Sequence, residues 1–208
     1  MLFNDTFKIP ISKSKSIYSV KGSKFISYVF PVNNEENVRK ILEELKISEK
    51  NADHFCYAYI INPDKSSWRT YDDGEPNGTA GKPILNQIKS YDLTNILIVV
   101  VRYFGGTKLG IKGLINAYKE SSRDALQKNN FKTCYVEEFY EVLFKYSQVN
   151  KVMKVIKENS LKIISHKFDI DSFLIFSVRK KYADKIISIL KNKHNLNVKC
   201  KMNNNEIN

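Results

Sequence analysis

No glycine follows Gly113 and no proline follows Pro83, although the chain runs to 208 residues. Turns that need a positive or a fixed φ are therefore confined to the first part, and the rest must turn on Asn, Asp and Ser. Long apolar runs are missing too. The longest aliphatic stretch, Ile96 to Val101, has six residues, where a membrane-spanning helix needs about 20. The opening Met-Leu-Phe-Asn-Asp has no basic start followed by an apolar segment, so no signal peptide is expected. Cysteine is scarce. Cys56, Cys134 and Cys200 form no Cys-x-x-Cys pair and are odd in number, which points to free thiols in a reducing compartment. These absences together make a cytoplasmic location with no membrane contact the expectation.

Catalytic signatures are equally sparse. His54-Phe-Cys56 lacks the His-x-Glu and Cys-x-x-Cys that a zinc deaminase requires. His54, His166 and His194 lie far apart, and no serine occupies a Gly-x-Ser-x-Gly elbow. No catalytic residue, metal or cofactor is assigned on this basis, and binding is favoured over catalysis. Acid/base work by the carboxylates of one loop, Asp72 to Glu75, stays open.

What is present is a foldable, basic chain: 42% hydrophobic, 12% aromatic, with a formal charge of +12. A basic surface attracts phosphate. The lysines are scattered, however, and the joint richness in Lys, Asn and Ile is what a compositional bias produces whatever the function. The charge permits an RNA or ribosome partner without specifying one.

Periodicity divides the chain into two α+β parts. In the first, strands are expected over Ser16 to Val20 and Lys24 to Val32, joined at Gly22-Ser23. Asn34 caps a helix with the stripe Val38, Ile41, Leu42 and Leu45. Strands follow at Phe55 to Ile61 and Trp68 to Tyr71, then a helix from about Pro83 to Tyr91. Ile96 to Val101 reads as a strand covered on both faces. The next helix carries Leu114, Ile115, Tyr118, Ala125 and Leu126 inward. A linker is placed near Asn129 to Val136. The second part reads as a strand over Glu138 to Tyr146, with Val142, Phe144 and Tyr146 on one face. A helix (Val149, Val152, Met153, Ile156) and strands Leu161 to Phe168 and Phe173 to Val178 follow. A second helix (Ala183, Ile186, Ile187, Leu190) and a strand over Leu196 to Cys200 complete it. That βαββαβ order is the ferredoxin-like plan. Residues 203–208 are expected to fray.

Two loops stand out. Tyr71-Asp-Asp-Gly-Glu-Pro-Asn-Gly-Thr-Ala-Gly81-Lys-Pro packs three acids and three glycines into one connection. It reads in three ways. Gly74 and Gly78 can supply positive φ to a hydrated turn built on Asp72, Asp73 and Glu75. The free N–H groups of Thr79, Ala80 and Gly81 can hold an anion or an acidic side chain. The acids can also bind Mg²⁺, although their spacing matches no metal loop. The second loop is Val99-Val-Val-Arg102-Tyr103-Phe-Gly105-Gly106-Thr-Lys108-Leu-Gly110-Ile-Lys112-Gly113. A buried strand running through glycines into a helix suits phosphate. Ile111 stands where a nucleotide P-loop has lysine, so it is not one. Close helix packing and anion binding, with Arg102, Lys108 and Lys112 nearby, both remain open.

Taken together the loops are more specific. Asp73-Gly-Glu-Pro-x-Gly-Thr-Ala-Gly-Lys-Pro-Ile, followed by Val-Val-x-Arg102-Tyr-Phe-Gly-Gly-x-Lys-Leu-Gly110, resembles the signature of the IMPACT family, including its bacterial YigZ-like members. Leu93 between the loops and Gly113-Leu-x-x-Ala117-Tyr118 after them fit the same pattern, which covers Lys15 to Leu126 closely. Lys112 departs from it, where such sequences often carry glycine. The resemblance implies an N-terminal domain over 1–132, similar to a ribosomal protein domain and to elongation factor G domain IV, with a left-handed βαβ crossover. It implies a ferredoxin-like domain over 133–208, similar to elongation factor G domain V. Eukaryotic relatives regulate translation through protein contacts, and RNA or ribosome binding is implied for bacterial ones.

The expected function is thus a translation-linked regulatory binding protein that contacts RNA, the ribosome or a translation-associated protein. Asp72, Asp73, Gly74, Glu75, Thr79, Ala80, Gly81, Lys82, Arg102, Tyr103, Gly105, Gly106, Lys108, Gly110 and Lys112 are the candidate binding residues. Arg69 is a further phosphate candidate. Phe173, Phe176 and Phe168 are aromatics available to a sheet face of the second part or to its core. The alternative is an enzyme acting on a phosphorylated small molecule.

Overall fold

The structure, a computed structural model, describes residues 5–194 and 196–201. The chain falls into two compact units, Thr6–Cys134 and a second one that joins Asp5 to the residues from Tyr135 onward. The fold class is α+β in both.

In the first unit, β2 (Ser14–Val20) and β3 (Ser23–Pro31) form a hairpin. Its turn needs positive φ at Lys21 and Gly22. Helix α1 (Glu35–Ser48) starts where Asn34 Oδ1 accepts the Asn37 N–H at 2.8 Å. Strands β4 (His54–Ile61) and β5 (Ser67–Tyr71), helix α2 (Gly81–Ser90), strand β6 (Ile96–Tyr103) and helix α3 (Gly110–Gln127) follow. The sheet order is β2-β3-β6-β4-β5, and every neighbouring pair is antiparallel. Because β6 is central, helices cover both its faces, which is why Ile96 to Val101 alternates no polar residue. Phe25, Cys56, Ala58, Ile98 and Val100 pack in one core with residues of α2 and α3. Ile26, Phe30, Tyr59, Leu97 and Val99 pack in the other with Val38 and Leu45 of α1.

Two short strands escape the sequence reading. β1 (Thr6–Pro10) and β7 (Phe131–Tyr135) pair in a two-stranded sheet, so a strand runs through the segment expected to be a linker. Five residues each, one ending in proline, leave too little alternation to detect. Ile115, expected inside, is 39% exposed on α3, where Ala117 and Tyr118 fill the inner face instead.

The second unit runs β8 (Glu137–Lys145), a short 3₁₀ turn, α4 (Val149–Glu158), β9 (Lys162–Lys167), β10 (Asp171–Arg179), α5 (Lys180–Ser188) and β11 (Asn197–Lys201). Its antiparallel sheet has the order β11-β8-β10-β9, the ferredoxin-like arrangement. Val142, Phe144, Leu174 and Phe176 meet Val152, Ile156, Ala183 and Ile186 in its core. Tyr146, expected on the inner face of β8, instead opens the 3₁₀ turn and is 66% exposed. Of the three aromatics, Phe176 is fully buried against the helices, Phe168 is in the β9–β10 turn and Phe173 is partly exposed. The expected fraying of residues 203–208 lies outside the described residues.

Candidate functional site

The acidic loop folds around its own carboxylates. Asp72 accepts the Gly78 N–H at 2.9 Å through Oδ2, and the Ala80 and Gly81 N–H groups at 3.0 and 2.9 Å through Oδ1. The start of α2 is therefore filled by an acidic side chain of the chain itself, one of the open readings of this loop. Asp73 turns at φ 43° and accepts the Phe55 N–H at 2.6 Å, while its carbonyl meets His54 Nδ1 at 2.8 Å. Thr79 bonds back to the Pro76 carbonyl at 2.6 Å. Gly81 is required by packing, because a Cβ there would lie 2.8 Å from the Tyr71 nitrogen. Lys82 is exposed in the first turn of α2.

Glu75 is the third acid and sits deepest. Its Oε1 accepts Arg102 Nη1 at 2.6 Å and the Tyr118 hydroxyl at 2.7 Å. The Arg102 and Glu75 side chains are 5% and 3% exposed. Cys56 Sγ lies 3.3 Å from the Tyr118 hydroxyl and donates to the Asp72 carbonyl at 2.9 Å. Burial pushes the Cys56 thiol well above its ordinary range, and burial does the same to the Tyr118 phenol. Both stay protonated at neutral pH, so neither is an activated nucleophile. This buried network ties the first loop to β4, β6 and α3.

Arg102, expected to meet phosphate, is 4% exposed and paired with Glu75. Its Nη2 also reaches Ser23 Oγ at 3.4 Å, but Nε has no hydrogen-bond partner and is buried. Tyr103 is displaced from the site. Alternation turns it to the α1 face of the sheet, where its hydroxyl donates to Glu49 Oε2 at 2.5 Å and its pKa is pushed up to about 12 by that bond. Arg69 also lies on that face, opposite Tyr59 in register.

The two loops meet. Glu75 and Pro76 of the first line a cavity of about 340 Å³ together with Arg102, Phe104, Lys108, Gly110 and Ile111 of the second. Leu109 and Leu114 complete its wall. Gly105 packs against the β2–β3 turn, and a Cβ there would come within 1.9 Å of the Gly22 carbonyl carbon. Gly106 and Gly110 supply positive φ. At the start of α3, Leu109 contributes no capping bond and the first turn carries no acid. The start of α3 thus lines the cavity with Lys108 and has no internal anion of the kind that Asp72 gives α2. Lys112 is exposed in the same first turn.

Residues 21–126 match the family model described as the Impact N-terminal domain. An IMPACT family member from Haemophilus influenzae is 30% identical, covering 88% of this chain and 91% of the relative. YigZ of Escherichia coli, also an IMPACT family member, is 32% identical over 84% of this chain and 85% of its own. The chain belongs to the IMPACT family. A solved structure described only as a hypothetical protein superimposes with a TM-score of 0.73 and 25% identity, covering 97% of this chain and all of that one. Several of the residues that carry the IMPACT resemblance are structural: Glu75 and Arg102 pair, and Gly81 and Gly105 permit close packing. Among the described residues, no cluster of His, Cys, Asp or Glu could hold a metal ion, and no helix is long and apolar enough to cross a membrane.

Sequence reasoning missed Tyr118 as the third member of the network, along with Ser23, Phe104 and Ile111. One signal was available for Tyr118. A phenol on the inner face of an amphipathic helix must find a partner when buried.

Proposed function

We propose that this chain is a translation-linked regulatory binding protein whose cavity between the two loops receives a phosphate group of an RNA. The observation that carries this reading is the buried Arg102 Nε without a partner, in the wall of a cavity that Lys108 and the uncapped start of α3 also line. Arg102 and Glu75 cancel in charge, so Lys108, Lys112 and the helix dipole supply the attraction for an anion. Phe104, 46% exposed on the rim, offers a flat face for a base. The translation role that the IMPACT resemblance implies for eukaryotic relatives points in the same direction, and the formal charge of +12 suits a polyanionic partner.

The test is co-sedimentation of the full chain with ribosomes across a salt series, with and without RNase, against Lys108→Ala/Lys112→Ala. Salt-sensitive, RNase-sensitive sedimentation is expected for the native chain. The variant should weaken it and flatten the log–log salt slope by roughly 0.7 for each phosphate that is no longer neutralised. Sedimentation unaffected by the variant contradicts the site, and RNase-insensitive capture points to a protein partner.

The cavity volume also lies within the range of small-molecule pockets, which favours a second reading, an enzyme acting on a phosphorylated small molecule. That reading needs a base, and Asp72, Asp73 and Glu75 are each held by internal hydrogen bonds.

A further inference from the structure

The helices of the second unit pack on one face of its sheet. Tyr140, Val142, Phe144, Leu174, Phe176 and Val198 all point into that core. Alternation therefore sends Phe139, Leu143, Phe173 and Ile175 to the opposite face. Ile175 is 7% exposed at its centre, whereas Phe139, Leu143 and Phe173 are only partly buried. Among the described residues, no helix of this unit joins them in a core cluster.

The register places a lysine beside each of the two rings. Phe173 stands opposite Lys167 of β9, and Phe139 stands opposite Lys201 of β11. Lys199 is the next residue on that edge facing the same way, opposite Glu141. Glu141 is the acid in the middle of this face, and Lys201 Nζ meets it at 3.7 Å. Glu137 and Asp171 sit at strand ends. The face thus has a buried centre at Ile175, a partly buried ring on each central strand, and lysines on both edges.

We propose that this open sheet face is a second RNA-binding surface, on which Phe139 and Phe173 stack bases of a single strand while Lys167 and Lys199 hold its backbone. Directly opposed residues on neighbouring antiparallel strands lie roughly 5 Å apart, so a nucleotide stacked on Phe173 can place its phosphate at Lys167, while Lys199 lies two residues along the opposite edge from Lys201, the partner of Phe139. Four-stranded sheets of the same βαββαβ topology recognise RNA by stacking bases on aromatics of the sheet. The proposal rests on the RNA reading above but on a separate surface, built from different residues.

The test is fluorescence anisotropy of the full chain with a labelled oligouridylate of about 12 nucleotides, next to an oligodeoxythymidylate of the same length. Phe139→Leu/Phe173→Leu keeps apolar bulk and removes both rings, and circular dichroism with a thermal melt checks its fold. Stacking predicts roughly 5- to 150-fold weaker binding for each ring that carries a base. Lys167→Ala/Lys199→Ala alters only the sheet edges and should lower the log–log salt slope by roughly 0.7 for each phosphate released. Weaker binding by both sheet variants, with Lys108→Ala/Lys112→Ala binding like the native chain, supports the sheet surface and overturns the cavity reading. Native-like binding by both sheet variants, with weaker binding by Lys108→Ala/Lys112→Ala, overturns the sheet surface and leaves the cavity reading standing. No binding by the native chain overturns both. Tighter binding of the deoxy oligomer overturns the assignment to RNA.

Discussion

At Arg102 a full positive charge is held 4% exposed, and the desolvation that this costs is offset by Glu75 at 2.6 Å and by contact with the Phe25 ring, 5.4 Å from centroid to guanidinium carbon. Removing one partner strands the other. Arg102→Ala is therefore expected to destabilise the first unit by about 3–5 kcal/mol, measured by urea unfolding. Glu75→Gln keeps an oxygen acceptor for both Arg102 and Tyr118 and should cost clearly less. Equal destabilisation in the two variants would show that the charge pairing, and not the hydrogen bonds that Gln retains, carries the cost. At this scale the sequence was informative about which residues matter and misleading about how. Arg102 and the acids were singled out as one signature, but the pairing of Arg102 with Glu75 was not foreseen, because nothing in a linear pattern shows that a strand's last inward position is closed over by a loop 27 residues earlier. Lys108 and Lys112 lie outside the buried network and are exposed.

Between elements, the two helix starts in the first unit make a contrast. α2 begins against the Asp72 carboxylate, which accepts three backbone N–H groups, and α3 begins with none supplied by a side chain. Asp72→Ala is expected to cost about 0.5–2 kcal/mol by removing the cap. Asp72→Asn retains an acceptor oxygen and should recover part of it. A cost much above that range in Asp72→Ala would mean that the loop also sets the packing of α2 on β5, where Gly81 lies against Tyr71. Elements with a long period were legible: α1 with its Asn34 cap, the wholly apolar β6, and the βαββαβ succession of the second unit. Those without one were not. β1 and β7 are short and owe their strand form to pairing with each other, which is a tertiary fact. Ile115 fits the helical stripe in sequence yet falls at its edge, since the inner face is already filled by Leu114, Ala117 and Tyr118.

For the molecule as a whole, each unit has its own core, and the second is closed by a residue from the far end of the chain. Arg179 Nε and Nη2 donate to the Asp5 carboxylate at 2.6 and 2.8 Å, and the Asp5 carbonyl accepts the Val136 N–H at 2.8 Å. The Arg179 hydrogen bond holds the Asp5 carboxyl below the usual carboxylate range, with the charge attraction adding to it. A carboxyl whose folded pKa is depressed contributes stability above its unfolded value, about 3.9, and loses it as pH falls through the folded value. Asp5→Asn should therefore lower the melting temperature of the second unit near neutral pH, and the difference should shrink as pH falls below the unfolded value and through the depressed folded one. A difference that persists unchanged into acid would assign the effect to packing. This contact was invisible to sequence reading, because nothing in the pattern relates residues separated by 174 positions.

The central claim is that an RNA phosphate enters the cavity joined by the two loops, and Arg102 carries the most direct report of it. In ¹⁵N-labelled protein, the Arg102 Nε–H resonance should shift on titration with oligouridylate, together with the backbone amides of Gly110, Ile111 and Lys112. Lys108→Ala/Lys112→Ala should reduce those shifts. An Arg102 Nε–H and an α3 start that stay silent while shifts appear elsewhere would contradict the account.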